Sequence, residues 1–215
     1  MPFVKKIKVE NGILGIWKIS ETADVLKSSF QFSDIEKVEF NRFISDKRQV
    51  EYLSTRLLLQ ILLNEKTEII YDKSGCPRLK KINRQISISH STELVTIFIS
   101  DKSIGIDTEN IYRNISRVTN RFLHPDELAW AEKQENSQTA KILLWSAKEA
   151  IFKCTKLSGI QFDTQLFIHP FDMKNRDFFN GKLITDTGEE NFSLWYFYFG
   201  NNIIVYCVEI ENKVQ

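Results

Sequence analysis

Two hydrophobic periods alternate along the chain, one of strands and one of helices. Gly12 to Ile19 is rich in apolar and β-branched residues and reads as a strand. Ser33-x-x-Glu36 has the spacing of a capping box and opens a short helix, and Ser45-Asp46 begins a longer one that reaches about Leu63. In that helix Val50, Leu53, Leu57 and Ile61 form a stripe suited to packing on a sheet. Tyr71 to Pro77, with Gly75 and Pro77, reads as a loop. Ile86 to Ser89 and Leu94 to Ser100 read as strands joined by a tight His90 to Glu93 connection, and Ile104 to Glu109 is the next strand.

The second half repeats this outline. Pro125 suits the first turn of a helix, where Asp126 and Glu127 complement the positive N-terminal end. A second helix runs from about Thr139 to Leu157, with Gly159 as its stop signal. Leu143, Ala147, Ala150, Cys154 and Leu157 share one face of it, which leaves Glu149 and Lys153 on another. Phe192 to Phe199 and Ile203 to Ile210 make an aromatic-rich hairpin across Gly200-Asn201-Asn202. Leu53-Ser54-Thr55-Arg56-Leu57 also echoes Trp145-Ser146-Ala147-Lys148-Glu149, which suggests a fused pseudo-dimer with Leu57 in the place of Glu149, and so one acidic site instead of two.

Composition narrows the class of protein. At 215 residues the chain is long enough for a well-buried core, as one domain or two small lobes. Its net charge of +1 gives no global field for gripping nucleic acid, although Lys5, Lys6 and Lys8, then Lys80, Lys81 and Arg84, then Arg113, Arg117 and Arg121 form local basic groups. Cys76, Cys154 and Cys207 are an odd number without a C-x-x-C pair, which argues against a disulfide framework and a structural zinc site and fits a reducing cytoplasm. The N-terminus lacks the apolar core of a signal peptide, and no apolar run reaches the roughly 18 residues of a membrane span, so the expectation is a soluble, unprocessed protein with no membrane partner.

The candidate chemistry lies in two acidic segments. Alternation along a strand points Asp107 and Glu109 the same way, as two hard oxygen ligands side by side. Glu149 and Lys153, four apart on a helix, add a third carboxylate and a cation on one surface. Together they look like a magnesium–pyrophosphate site. Alone, Glu149 and Lys153 would read as an exposed ion pair, Asp107 and Glu109 as a polar strand end, His90 as a turn residue and His124 as the start of a helix. The joint spacing favours the metal site.

Gly105-Ile106-Asp107-x-Glu109, with Trp145-Ser146-x-Lys148-Glu149-Ala150-x-x-Lys153 downstream, resembles the signature of the 4'-phosphopantetheinyl transferases, in particular the larger, monomeric type that activates nonribosomal peptide synthetases. The resemblance covers roughly Ser33 to Gly159. It implies an α+β fold, a pseudo-dimer of two similar lobes that each pack helices on an antiparallel sheet, with an N-terminal lobe over 1–100 on the coenzyme A side and a C-terminal lobe over 101–215 with the magnesium and catalytic motifs. It places coenzyme A in the cleft between the lobes and implies transfer of its phosphopantetheine arm to a serine of an acyl or peptidyl carrier protein, with adenosine 3',5'-bisphosphate released. Asp107, Glu109 and Glu149 would hold Mg²⁺, Lys153 would neutralise the pyrophosphate, and Glu149, or a carboxylate acting through a metal-bound water, would accept the serine proton.

Shorter matches extend the implied site. Ile88-Ser89-His90-Ser91 resembles the coenzyme-binding turn, with Ser89 facing the adenine end and His90 on phosphate. Lys37 and Arg48 are the preferred pair for the 3'-phosphate, beside Lys47 and Arg56, and Gly75 belongs to the family's Gly-Lys-Pro turn, where this chain carries Cys76 in place of the lysine. That substitution raises the alternative of a coenzyme A-binding protein without turnover. Three carboxylates and a lysine also suit a metal-dependent pyrophosphate hydrolase. Arg113, Arg117 and Arg121, at helical spacing, are either a solvated face or a dock for an acidic carrier protein.

Overall fold

A computed structural model describes residues 4–174 and 178–210; Met1 to Phe3, the start of the segment read for a signal peptide, lie outside them. Two compact units divide the chain, Met1–Asp101 and Lys102–Gln215. Each is α+β, with helices on an antiparallel sheet.

The first unit comprises β1 (Val4–Val9), β2 (Gly12–Lys18), α1 (Ala23–Ser28), α2 (Asp34–Phe40), α3 (Asp46–Leu63), β3 (Ile69–Tyr71), β4 (Pro77–Leu79), β5 (Gln85–His90) and β6 (Leu94–Ser100). Its sheet runs β1-β2-β6-β5, with β3 and β4 as a separate hairpin. The Ser33–Glu36 capping box forms as expected at the start of α2, and Ser45 caps α3 by accepting from the Arg48 amide. Asn64, left-handed at φ 57°, ends α3.

The buried face of α3 differs from the expected stripe. Leu53, Leu58, Leu59 and Leu62 are buried with Val95, Ile97 and Ile99, whereas Ile61 is 47% exposed. The reason is the approach of α3 to β2 at Gly15, where an added Cβ would lie 2.7 Å from Leu62 Cδ1 and so turns Leu62 inward. Strand β1 was not legible as such, because its three lysines mask the alternation; its register with β2 makes it a strand, and lysines suit a sheet edge. The loop after Tyr71 is the turn of the β3–β4 hairpin, stitched by the Asp72 carboxylate, which accepts from the Ser74 and Cys76 amides and from Arg78.

The second unit comprises β7 (Ile104–Asn110), a 3₁₀ turn (Thr119–Arg121), α4 (Pro125–Glu132), α5 (Ser137–Thr155), β8 (Leu166–Ile168), β9 (Phe179–Thr185), β10 (Gly188–Phe199) and β11 (Asn202–Ile210). The sheet order is β7-β11-β10-β9-β8. Helix α5 ends at Thr155 with left-handed Lys156 (φ 56°), so Gly159 is not its stop and Leu157, 43% exposed, lies beyond it. No helix carries Arg113, Arg117 and Arg121: turns and the 3₁₀ segment hold them, and helical spacing there is coincidental. At Gly105 an added Cβ would sit 1.8 Å from the Ala150 carbonyl oxygen. Only glycine lets α5 lie this close to β7, and that approach builds the site.

Candidate functional site

Because β7 alternates, Asp107 and Glu109 share the face that Gly105 turns to α5. Asp107 is buried and doubly bound: one oxygen accepts from Lys153 Nζ at 2.7 Å and the other from Ser146 Oγ at 2.9 Å. Lys153 also donates to the Ile106 carbonyl at 3.1 Å. Glu109 accepts from Trp145 Nε1 at 2.9 Å and from Arg113. Glu149 belongs to the same electrostatic cluster: burial first, then the Asp107 charge, push its carboxyl up to about 7, against the pull of Lys153. Glu109 is raised for the same two reasons, with Arg113 opposing.

This mutual strain is the mark of an anionic cluster short of positive charge, and three carboxylates are a hard donor set that fits Mg²⁺. Among the described residues no three His, Cys, Asp or Glu side chains close on one ion position. Lys153 and Arg113 explain the spacing, since each already occupies an oxygen of Asp107 or Glu109. The structure therefore gathers Asp107, Glu109, Glu149 and Lys153 into one neighbourhood but leaves the carboxylates on internal cations.

Lys148, seen in the sequence only as a motif letter, holds the wall of this site. It is fully buried, forms an ion pair with Glu127 at 2.6 Å, and donates to the carbonyls of Phe122 and Phe162 at 2.7 Å each. Burial pushes its ammonium group down and the Glu127 charge opposes that shift. The two tethered phenylalanines pack against Trp145, at ring distances of 4.9 and 6.0 Å. With Phe152 they wall a cavity of about 530 Å³ that reaches Glu149. Sequence reasoning did not find the cavity, quoted Ser146 only as part of the motif and read Arg113 as part of a basic face; the Trp-Ser pair before Lys148-Glu149 was the available signal.

The first unit brings together only part of its expected set. His90 Nε2 lies 2.9 Å from Thr55 Oγ1 and lines a cavity of about 120 Å³ with Arg48, Tyr71 and Phe43. Arg48 is paired with Glu51 at 3.0 Å, and its side chain remains 66% exposed. Ser89 is buried on β5, Lys37 is exposed on α2 outside that cavity, and Gly75 (φ 81°) turns the β3–β4 hairpin with open space around it. Arg56 also lines that cavity, but it is 2% exposed, engaged by Glu36 and Glu39, and stacked on Tyr52 at 3.2 Å.

Fold and donor set thus define the second unit as an α+β scaffold for a cluster of three carboxylates and two internal cations. Residues 103–207, just under half of the chain, match the model of the 4'-phosphopantetheinyl transferase superfamily. The chain is 33% identical over 107 residues to the 4'-phosphopantetheinyl transferase gsp of Aneurinibacillus migulanus, which covers 48% of this chain and 45% of that one. It is 28% identical over 152 residues to the 4'-phosphopantetheinyl transferase psf-1 of Bacillus pumilus, covering 66% and 64% respectively. The matches therefore span between about half and two thirds of these relatives. Among the described residues no helix is long and apolar enough to cross a membrane.

Proposed function

We propose that this protein transfers the 4'-phosphopantetheine arm of coenzyme A to a serine of an acyl or peptidyl carrier protein and releases adenosine 3',5'-bisphosphate. The observation that carries the reading is the convergence of Asp107, Glu109, Glu149 and Lys153 across β7 and α5. Asp107, Glu109 and Glu149 would hold Mg²⁺, which when bound supplies positive charge for the pyrophosphate. Lys153, tied to Asp107, would help to neutralise the pyrophosphate. As the serine oxygen bonds to the β-phosphorus and the bond to the bisphosphate leaving group breaks, the serine proton passes to the acidic cluster, with Glu149 as the acceptor we assign. The cavity beside Glu149 suits the extended pantetheine arm, whose methyl and methylene groups can pack on the aromatic rings while its amides face polar residues such as Gln161. Ser89, His90, Arg48, Lys37 and Gly75 are our candidates for the adenine-nucleotide end.

The test is intact-mass spectrometry of an apo carrier protein incubated with this protein, coenzyme A and Mg²⁺, beside Glu149→Ala. A gain of one phosphopantetheine, lost in the variant, is expected. No gain across several carriers despite coenzyme A binding, or release of phosphopantetheine without any carrier, would overturn the proposal.

A further inference from the structure

Among the contacts of the acidic cluster, that of Arg113 is the least explained by folding. Arg113 follows β7 in a turn closed by its own amide on the Asn110 carbonyl at 2.9 Å. Gln138, in the first turn of α5, donates to the Arg113 carbonyl at 2.8 Å, so the backbone is pinned where the side chain can reach the site. The guanidinium binds Glu109 and lies 5.4 Å from the Trp145 ring centroid, while Trp145 itself donates to the same carboxylate oxygen of Glu109. Glu109 is mostly buried, at 14% side-chain exposure, yet Arg113 is 43% exposed. One end of this ion pair is therefore fixed and the other faces solvent.

The charge balance gives the arrangement a direction. Three ionised carboxylates faced by Lys153 and Arg113 leave a net single negative charge, and a divalent cation among them turns it to a single positive one. The carboxylate that Arg113 holds is one that the cation needs. A guanidinium released beside such a cation is suited to a phosphate oxygen, which it grips in a planar, two-pronged geometry. We propose that Arg113 is an internal counter-ion that occupies Glu109 before a divalent cation binds and then turns to a phosphate of the bound coenzyme. This rests on the reading that the cation sits among Asp107, Glu109 and Glu149.

The experiment uses Mn²⁺ as the probe, with free ion counted by electron paramagnetic resonance, on the whole protein without coenzyme A. Arg113→Gln is expected to bind Mn²⁺ about five-fold more tightly, the size of one partly exposed ion pair, and to show a changed Trp145 fluorescence before Mn²⁺ is added. Arg117→Gln, which removes an exposed charge four residues away, is expected to match the wild type. With Mn²⁺ saturating, Arg113→Gln is expected to bind coenzyme A about five-fold more weakly by calorimetry. Equal Mn²⁺ affinity in Arg113→Gln and wild type, an equal gain in Arg117→Gln, or unchanged coenzyme A affinity would each overturn the role of Arg113 while leaving the metal site standing. Mn²⁺ binding that Asp107→Ala does not weaken would overturn the metal site and this inference together.

Discussion

The two units of the chain use one plan and differ where chemistry is expected. In each, an early strand pairs with the last strand, which pairs with the one before it: β2-β6-β5 in the first unit and β7-β11-β10 in the second. In each, a short capped helix precedes the long helix, and a glycine on that early strand, Gly15 on β2 or Gly105 on β7, lets the long helix approach. A buried cation on the long helix meets the capping-box glutamate of the short one, Arg56 with Glu36 and Lys148 with Glu127. One residue pair after the glycine, Trp17 stands where the second unit has Asp107, and Leu57 stands for Glu149. Ser54, the counterpart of Ser146, is buried with its hydroxyl unbonded among the described residues, as is the Trp17 indole nitrogen. The scaffold is thus separable from the site: the same packing tolerates an apolar set or an acidic one, and the acidic set carries the candidate activity.

Substitutions at matched positions sharpen this contrast. Lys148→Met is expected to cost most, about 3–5 kcal/mol in denaturant unfolding, because it strands the buried Glu127 carboxylate. Arg56→Met should cost less, about 2 kcal/mol, because buried Glu36 lies 3.7 Å from it and keeps the Ser33 amide as a donor, while its second partner Glu39 is 31% exposed and reaches water. Equal costs would show that the two buried pairs are not distinguished by solvent access. Gly105→Ala drives a Cβ into a helix carbonyl and should cost about 3 kcal/mol, whereas Gly15→Ala meets only the movable Leu62 side chain and should cost about 1 kcal/mol in thermal unfolding.

The serines predict opposite signs. Ser146→Ala removes a hydrogen bond to Asp107 and should destabilise by about 1 kcal/mol, while Ser54→Ala removes an unbonded hydroxyl and should be neutral or stabilising by up to about 1 kcal/mol. Two losses of equal size would break the comparison.

The finest test is pH. The carboxyl of Glu149 is raised from the usual 4.5 to about 7, so the folded state keeps a proton that the unfolded state has released. Stability from this group is full below pH 4.5 and is lost as pH rises to about 7. Denaturant midpoints of the metal-free protein at pH 5 and 8 should show that fall, and Glu149→Leu, the residue of the first unit, should flatten it.

Local physics explains what was legible. The capping box at Ser33, the span of α3, the β10–β11 hairpin and the shared face of Asp107 and Glu109 follow from spacing and turn chemistry, which act over a few residues. The motif spacing also named Glu149 and Lys153 as neighbours of that face. Which face of α3 is buried, and that β1 is a strand despite its lysines, depend on a partner element that periodicity does not contain. The sequence by itself determined the long helices, the strand of the acidic site, the C-terminal hairpin and the acidic inventory. Tertiary structure alone decided that Arg56 and Lys148 are spent on buried glutamates, that Arg113 belongs to Glu109 and not to a helix face, and that an aromatic cavity opens beside Glu149. These outcomes depend on contacts between residues far apart in the chain, where burial and charge, not spacing, select the partner.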